Sequence, residues 1–449
     1  MTQSVNKSEA RQLSRLALPL MATQLAQMGM GVVDTVMAGR YSSIDLAGVA
    51  LGSAVFWPCI LLMMGVLQVV TPTVAQLSGA NKQNEVGEVI RQALWIALLA
   101  AIFMILVLVY SEPFYALMNI SQDAIAITMP YLAYTAWGMP AIMVYFVLRF
   151  LAEGLGFTKP AMYIAIAALL LKIPLNYIFV NGLFGMPEMG GVGCGLATAI
   201  VMWLELFLIV YVVTRAKFNN IAWQEKFSKP DSQKIFGLIK VGLPIGATMF
   251  FEAGMFTSVT VLLGQIGTNL VAAHSIALNI TGLTYMLPLS LGIAASIRIG
   301  NHVGANQFSM ARKTAQVAMT LSLTVAVISI AFMLLTRHFI VGLYTSDPVV
   351  FEIAVTLLLF AALYQLFDAS QATAIGALRG YKDTAVPMYF TLIGYWLFGL
   401  PLAASLGFGW VFEPMGIYGF WVGLILALFA VSLCAVARLY WLSGKLIPN

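Results

Sequence analysis

The stretch LALPLMATQLAQMGMGVVDTVMAGR, Leu16 to Arg40, is a long apolar run that holds a single charged residue, Asp34, before Arg40. A helix rises about 1.5 Å per residue, so a run of this length crosses the roughly 30 Å hydrocarbon core of a bilayer. A carboxylate within such a helix costs roughly 2.5–3.5 kcal/mol on insertion scales and usually faces a cavity or a partner. The stretch therefore predicts a transmembrane helix with a functional acid.

The composition of the whole chain also indicates an integral membrane protein. Of 449 residues, 61% are hydrophobic and only 9% are charged, which exceeds what a soluble core requires. The net charge of +5 is spread over short connections without a concentrated basic run, so nucleic acid is not an expected partner. The three cysteines lie far apart, which disfavours a disulfide framework or zinc site, and no Walker loop or nucleophile triad supports an enzyme.

Hydropathy predicts an all-α membrane protein with twelve transmembrane helices. Nearly all of the 23 Lys and Arg then fall on one side, leaving Arg40 and Arg337 on the other and Lys172 within a span. By the positive-inside rule, both termini are cytoplasmic in an integral, multi-pass protein of the lipid bilayer. The predicted spans are near 13–37, 46–77, 89–110, 124–149, 160–180, 191–214, 235–264, 270–300, 312–335, 350–378, 385–407 and 415–443.

Five short motifs occur twice in the same order. LALPLMAT with Pro19 resembles VGLPIGAT with Pro244, and SGANKQN resembles VGANQFS at the same offset. KPAMY, IPLNY and GGVG recur as VPMYF, LPLAA and MGIYG. The repeat predicts two six-helix lobes related by pseudo-two-fold symmetry about the membrane normal. The predicted division is an N-terminal lobe at 1–214, a polar cytoplasmic linker at 215–234 and a C-terminal lobe at 235–449.

These spans and motifs resemble the multidrug and toxic compound extrusion (MATE) family, in its NorM-like branch. The resemblance rests on PLMATQLAQMGMGVVDTVMAGR, the GANKQN and GANQFS loops, FFEAG in the seventh span and LYQLFDASQATAIGALRGYKD in the tenth. It implies a monomeric antiporter of the bacterial inner membrane that exports amphipathic, mostly cationic drugs and dyes. It also implies that sodium ions or protons run inward in exchange and that no cofactor is needed.

The C-terminal half places acids in otherwise neutral spans. Tyr364 and Asp368 are an i,i+4 pair on one helix face, and Glu252 lies at a compatible depth. Two acids and a phenol can bind one cation. The resemblance places a sodium site on Glu252 and Asp368 with Tyr364 adjacent, but two nearby carboxylates also permit proton coupling, so the ion stays open.

The N-terminal half has its own polar layer. Topology alone puts Asp34, Asn176 and Thr198 at a similar depth near the outer ends of their spans. A carboxylate, an amide and a hydroxyl suit a sodium ion or a proton. In the resemblance these three residues fall in the first-lobe cluster for cation coupling and substrate.

Four other residues carry weaker signals. Lys172, one turn before Asn176, pairs with Asp34 or Glu205, or extends to the membrane surface. If Glu205 does not pair with Lys172, it is interpreted as a structural acid. Pro19 removes a backbone hydrogen bond and permits a hinge, which the resemblance favours. His274 in an apolar span is predicted to be neutral and hydrogen-bonded.

Two other classes of membrane protein are alternatives to the antiporter. A lipid-linked precursor flippase of the same superfamily is the main alternative, but such a flippase often has a cationic cavity, whereas the charges within these spans are mainly acidic. A channel is disfavoured because no repeated filter sequence is present.

Overall fold

Regular structure in this protein is helical. The computed structural model describes residues 2–118, 120–215, 221, 223, 228–411 and 413–447, and no strand occurs in those ranges. The α-helices are α1 (Thr2–Tyr41), α2 (Ser43–Leu67), α3 (Val70–Gly79), α4 (Gln83–Val109), α5 (Glu112–Leu117), α6 (Gln122–Ala136), α7 (Met139–Gly154), α8 (Lys159–Asn181), α9 (Val192–Val213), α10 (Ser232–Gly264), α11 (Thr268–Gly304), α12 (Phe308–Tyr344), α13 (Pro348–Gly380), α14 (Ala385–Thr391), α15 (Leu400–Phe408) and α16 (Ile417–Lys445). A π-helical segment, Leu392–Gly399, joins α14 to α15.

These helices supply the predicted number of spans. In the described part of the chain, eleven stretches are long and apolar enough to cross a membrane, and α6 with α7 forms a twelfth that is bent by 49°. The bend falls at Gly138, and Pro140 follows it at the start of α7, where its missing N–H costs nothing. The prediction of an all-α membrane protein with twelve spans is confirmed.

The chain forms two compact units by contact. The C-unit consists of residues 1–21 and 247–449, and the N-unit of residues 22–246. Each boundary lies inside a continuous helix, two residues after Pro19 in α1 and two residues after Pro244 in α10. The units therefore differ from the lobes 1–214 and 235–449 of the sequence repeat, because the first part of each proline-containing helix groups with the other half of the chain.

Ion pairs and a hydrogen bond join the N-terminal part of each of these two helices to other helices of its own unit. In the C-unit, Arg298 of α11 and Thr314 of α12 donate to the buried carboxylate of Glu9. In the N-unit, Lys234 donates to Glu88 of α4 at 3.1 Å. The start of α1 is thus held by α11 and α12, and the start of α10 by α4.

The backbone repeats at the same offset as the sequence. Asn81 and Asn306 both adopt left-handed φ angles, of 58° and 57°. The same hydrogen bond closes each helix end: Lys82 N–H donates to Leu77 O in the N-unit, and Gln307 N–H donates to His302 O in the C-unit. The GAN motif therefore specifies the same helix-ending turn in both halves, since Asn tolerates this backbone region better than most residues.

Glycines permit close helix crossing in the C-unit. Gly376 of α13 lies directly against the backbone of Gly292 in α11, and a Cβ at position 376 would clash with the carbonyl oxygen of Gly292. Interfaces of small residues replace the hydrophobic driving force that helices lack inside a bilayer. This contact brings α11 and α13 together, and α13 carries Asp368.

We expect Gly376→Ala to destabilise the protein by about 1–3 kcal/mol, because backbone has to shift to admit the methyl group. The measurement is the melting temperature of purified protein in detergent. The matched control is Gly444→Ala in α16, where nothing lies within 4 Å of an added Cβ. An equal melting temperature for the two variants would show that α11 and α13 do not cross as closely as described.

Candidate functional site

Three helices of the N-unit meet at a buried cluster of polar side chains. Lys172 Nζ of α8 donates to Asp34 Oδ2 of α1 at 2.8 Å and to Thr198 Oγ1 of α9 at 2.9 Å. Asn176 Nδ2, one turn after Lys172, donates to Asp34 Oδ1 at 2.8 Å. Both carboxylate oxygens of Asp34 therefore accept a hydrogen bond, one of them from a charged donor.

The rest of the cluster explains how it is held. Thr198 Oγ1 donates to Cys194 O one turn earlier in α9, which leaves its lone pairs for Lys172. Asn176 Oδ1 is buried and has no partner among the described residues. Only 3% of Lys172 is exposed, so its ammonium is a resident cation of this site.

The structure brings together the three residues predicted for the first half. Asn176 contacts Asp34 directly, whereas Thr198 reaches Asp34 through Lys172. Of the interpretations left open for Lys172, the ion pair with Asp34 is the one observed. The lysine does not extend to the surface.

The acids of the C-unit also lie near one another. Asp368 of α13 is buried, and it lies within electrostatic range of the half-buried Glu252 of α10. Tyr364, one turn before Asp368, is buried with its ring packed edge-on against Phe256 and Trp421. Two carboxylates within electrostatic range repel when both are ionised, and Arg379, which also acts on Glu252, compensates only one of the two charges, so the pair favours an added proton or cation.

Further polar side chains surround these acids, and the sequence had not singled them out. Tyr395 in the π-helical segment donates from its hydroxyl to Gln371 Oε1 at 2.6 Å, and Tyr395 and Tyr285 are both within electrostatic range of Glu252 and Asp368. Gln371 lies three residues after Asp368, a spacing that puts both on one helix face. That spacing could have identified Gln371 from the sequence. The position of Tyr395 could not be identified in this way, because it depends on the π-helical segment.

His274 departs from its prediction. Both of its ring nitrogens are buried without a partner among the described residues. Its ring packs edge-on against Trp421, with the centroids 5.8 Å apart. The prediction of a hydrogen bond is therefore wrong, because aromatic packing takes up the space around the imidazole.

A second buried ion pair lies in the N-unit. Arg149 Nε donates to Glu153 Oε1 at 2.7 Å within α7, and Nη2 donates to Gln24 of α1. The predicted span 124–149 ends at Arg149, and in the structure this residue lies inside α7, buried and paired. Glu205 of α9 is also buried, and its Oε1 has no partner among the described residues.

Comparison with known proteins shows the family. The MatE family model matches the chain twice, over residues 19–178 and 244–404, so each half carries one copy. The chain belongs to the MatE family. The two matches begin at Pro19 and Pro244, the prolines that begin the sequence repeat.

Several MatE-family proteins are similar over nearly their whole length. The multidrug resistance protein NorM of Vibrio cholerae is 42% identical over 98% of this chain and 97% of its own. PmpM of Pseudomonas aeruginosa is 44% identical over 96% and 91%, and MdtK of Yersinia pseudotuberculosis is 41% identical over 97% and 96%. Among solved structures, the eukaryotic MATE transporter AtDTX14 superposes with a TM-score of 0.88 at 19% identity, covering 98% of this chain and 99% of that one. That likeness supports the fold.

Proposed function

We propose that this MatE-family protein is a multidrug efflux transporter. Three relatives at 41–44% identity, each matched over most of its length, are named multidrug resistance proteins. It is a secondary transporter rather than an enzyme. The alternative of a lipid-linked precursor flippase is not favoured by these names.

The mechanism that we propose is antiport. Amphipathic, mostly cationic drugs and dyes leave the cell while sodium ions or protons enter. The observation that carries this proposal is the placement of two acids, Asp368 and Glu252, within electrostatic range of each other in long apolar helices. Burying two acids near each other is costly, and an ion or a proton that binds there removes the repulsion.

Each candidate residue has a proposed role. Glu252 and Asp368 bind the coupling ion, as a sodium site or as proton acceptors, and Tyr364 positions Asp368 from one turn away. In the N-unit, Asp34 binds a cation, and Asn176 and Thr198 hold the cluster in place. The twofold occurrence of acids, one set in each unit, supports a role for both halves of the chain.

The proposal also includes the location, the topology and the hinge of the protein. We place it in the bacterial inner membrane as a monomer with both termini cytoplasmic, in lobes 1–214 and 235–449 joined by the linker 215–234. Pro19 is the proposed hinge of α1. Its position two residues before a unit boundary supports that role, because a bend there would move one part of α1 relative to the other.

Drug efflux from cells tests the proposed function. The gene is expressed in a bacterial strain that lacks its own multidrug pumps, and the cells are loaded with ethidium. Cells that make the protein should lose dye several-fold faster than cells with an empty vector, and collapse of the membrane gradients should stop the difference. Equal dye loss in both strains, with the protein present in the membrane, would contradict the proposal.

A further inference from the structure

Lys172 occupies the position that a cation would take at Asp34. Its ammonium lies 2.8 Å from Asp34 Oδ2, inside a membrane-spanning helix, and it is almost completely buried. A second positive charge at the same carboxylate would lie close to the ammonium and be repelled by it. An incoming cation therefore has to displace Lys172 from Asp34.

A second carboxylate is available to the displaced lysine. Glu205 lies seven residues after Thr198 on α9, two turns away on the same helix face, and Thr198 already accepts from Lys172 Nζ. Arg149 and, more weakly, Lys172 act electrostatically on Glu205, and Glu205 Oε1 is buried without a partner among the described residues. A lysine side chain has a flexible four-carbon stem and rotatable donors, which suits movement between two acceptors.

The charges fit one added cation. With Asp34 and Glu205 ionised, Lys172 neutralises one of the two acids and leaves the other for a single monovalent cation or proton. Arg149 also acts on Glu205, but it is paired with Glu153 and adds no net charge with it. With both acids ionised, the three side chains Asp34, Glu205 and Lys172 therefore carry one net negative charge.

Among the other titratable groups around the pair, two are neutral and the third, Asp45, is an acid whose oxygens are bound by uncharged donors. Tyr131 of α6 and Cys194 of α9 are within electrostatic range of Asp34. Both are neutral in their ordinary protonated forms. Asp45 of α2 also acts on Cys194, but its own oxygens accept from Ser42 Oγ and from the backbone N–H of Gly191.

We propose that Lys172 is a built-in competitor for the cation site at Asp34, and that Glu205 receives its ammonium when an external cation binds. The inference rests on the proposed function, which assigns Asp34 to cation binding. It adds a residue that sets the affinity and the selectivity of that site.

Binding of tetraphenylphosphonium to purified protein in nanodiscs tests this competition without any gradient. If Lys172 holds Asp34 for more than nine-tenths of the time, Lys172→Met should tighten binding at least about tenfold, since the competent fraction rises toward one. Glu205→Gln should weaken binding several-fold, because the lysine loses its second acceptor. Lys172→Arg should bind like the wild type, and Lys172→Met/Asp34→Asn should lose the gain.

The matched control is Lys240→Met in α10, which removes a lysine at an exposed position and should leave the affinity unchanged. The opposite signs expected for Lys172→Met and Glu205→Gln keep the test decisive even if one variant folds poorly. If Lys172→Met binds no more tightly than the wild type, or if the affinity of Glu205→Gln is unchanged, this inference is overturned while the proposed function stands. Absence of binding in the wild type and every variant would contradict the cationic substrate as well.

Discussion

Asp368→Asn is expected to reduce gradient-driven efflux by about 100-fold, at the upper end of typical coupling free energies. Asn keeps the size of the side chain but removes the charge that binds the ion. Glu252 then has no second acid to repel it, and the pair loses its demand for an added proton or cation. The measurement is dye efflux from vesicles with an imposed cation gradient, normalised to the amount of inserted protein.

Glu352→Gln is the matched control for that variant. Glu352 lies on the same helix, α13, and is exposed. It loses a carboxylate in the same way, so its efflux should equal that of the wild type. Wild-type efflux from Asp368→Asn would remove Asp368 from the coupling site.

Asp34→Asn is expected to have two separable effects. It should stop transport, because the cation site of the N-unit loses its charge, and it should lower the melting temperature. The second effect follows from the ion pair: removing one partner of a buried pair costs about 3–5 kcal/mol, since the ammonium of Lys172 stays buried without its counter-ion. Efflux and thermal unfolding are measured on the same preparations.

The double variant Asp34→Asn/Lys172→Gln separates the two effects. Removing both charges should restore most of the melting temperature while transport stays absent. Recovery of transport in the double variant would mean that Asp34 is a structural partner of Lys172 and not a cation site.

The sequence predicted the fold and the acids for definite physical reasons. Membrane helices need long apolar runs, and an acid such as Asp34 or Asp368 within one is costly, so both features are visible without a structure. The family match at residues 19–178 and 244–404 agrees with the repeat read from paired proline and GAN motifs.

Contacts between helices could not be predicted in the same way. Sequence spacing placed Lys172 one turn from Asn176, but the choice between Asp34 and Glu205 depends on how α1, α8 and α9 are rotated about their axes. The environment of His274 likewise depends on Trp421, which is far away in the sequence. The π-helical segment that presents Tyr395 has no simple periodicity signal, because it adds a residue to the helical turn.

The most direct test of cation-coupled efflux uses purified protein in vesicles, with sodium and proton gradients imposed one at a time. We predict that at least one of the two gradients drives ethidium movement against the direction of ion flow. An ionophore for that ion should abolish the movement, and Asp368→Asn vesicles should not respond. Ethidium movement that is the same with and without either gradient would contradict the antiport mechanism.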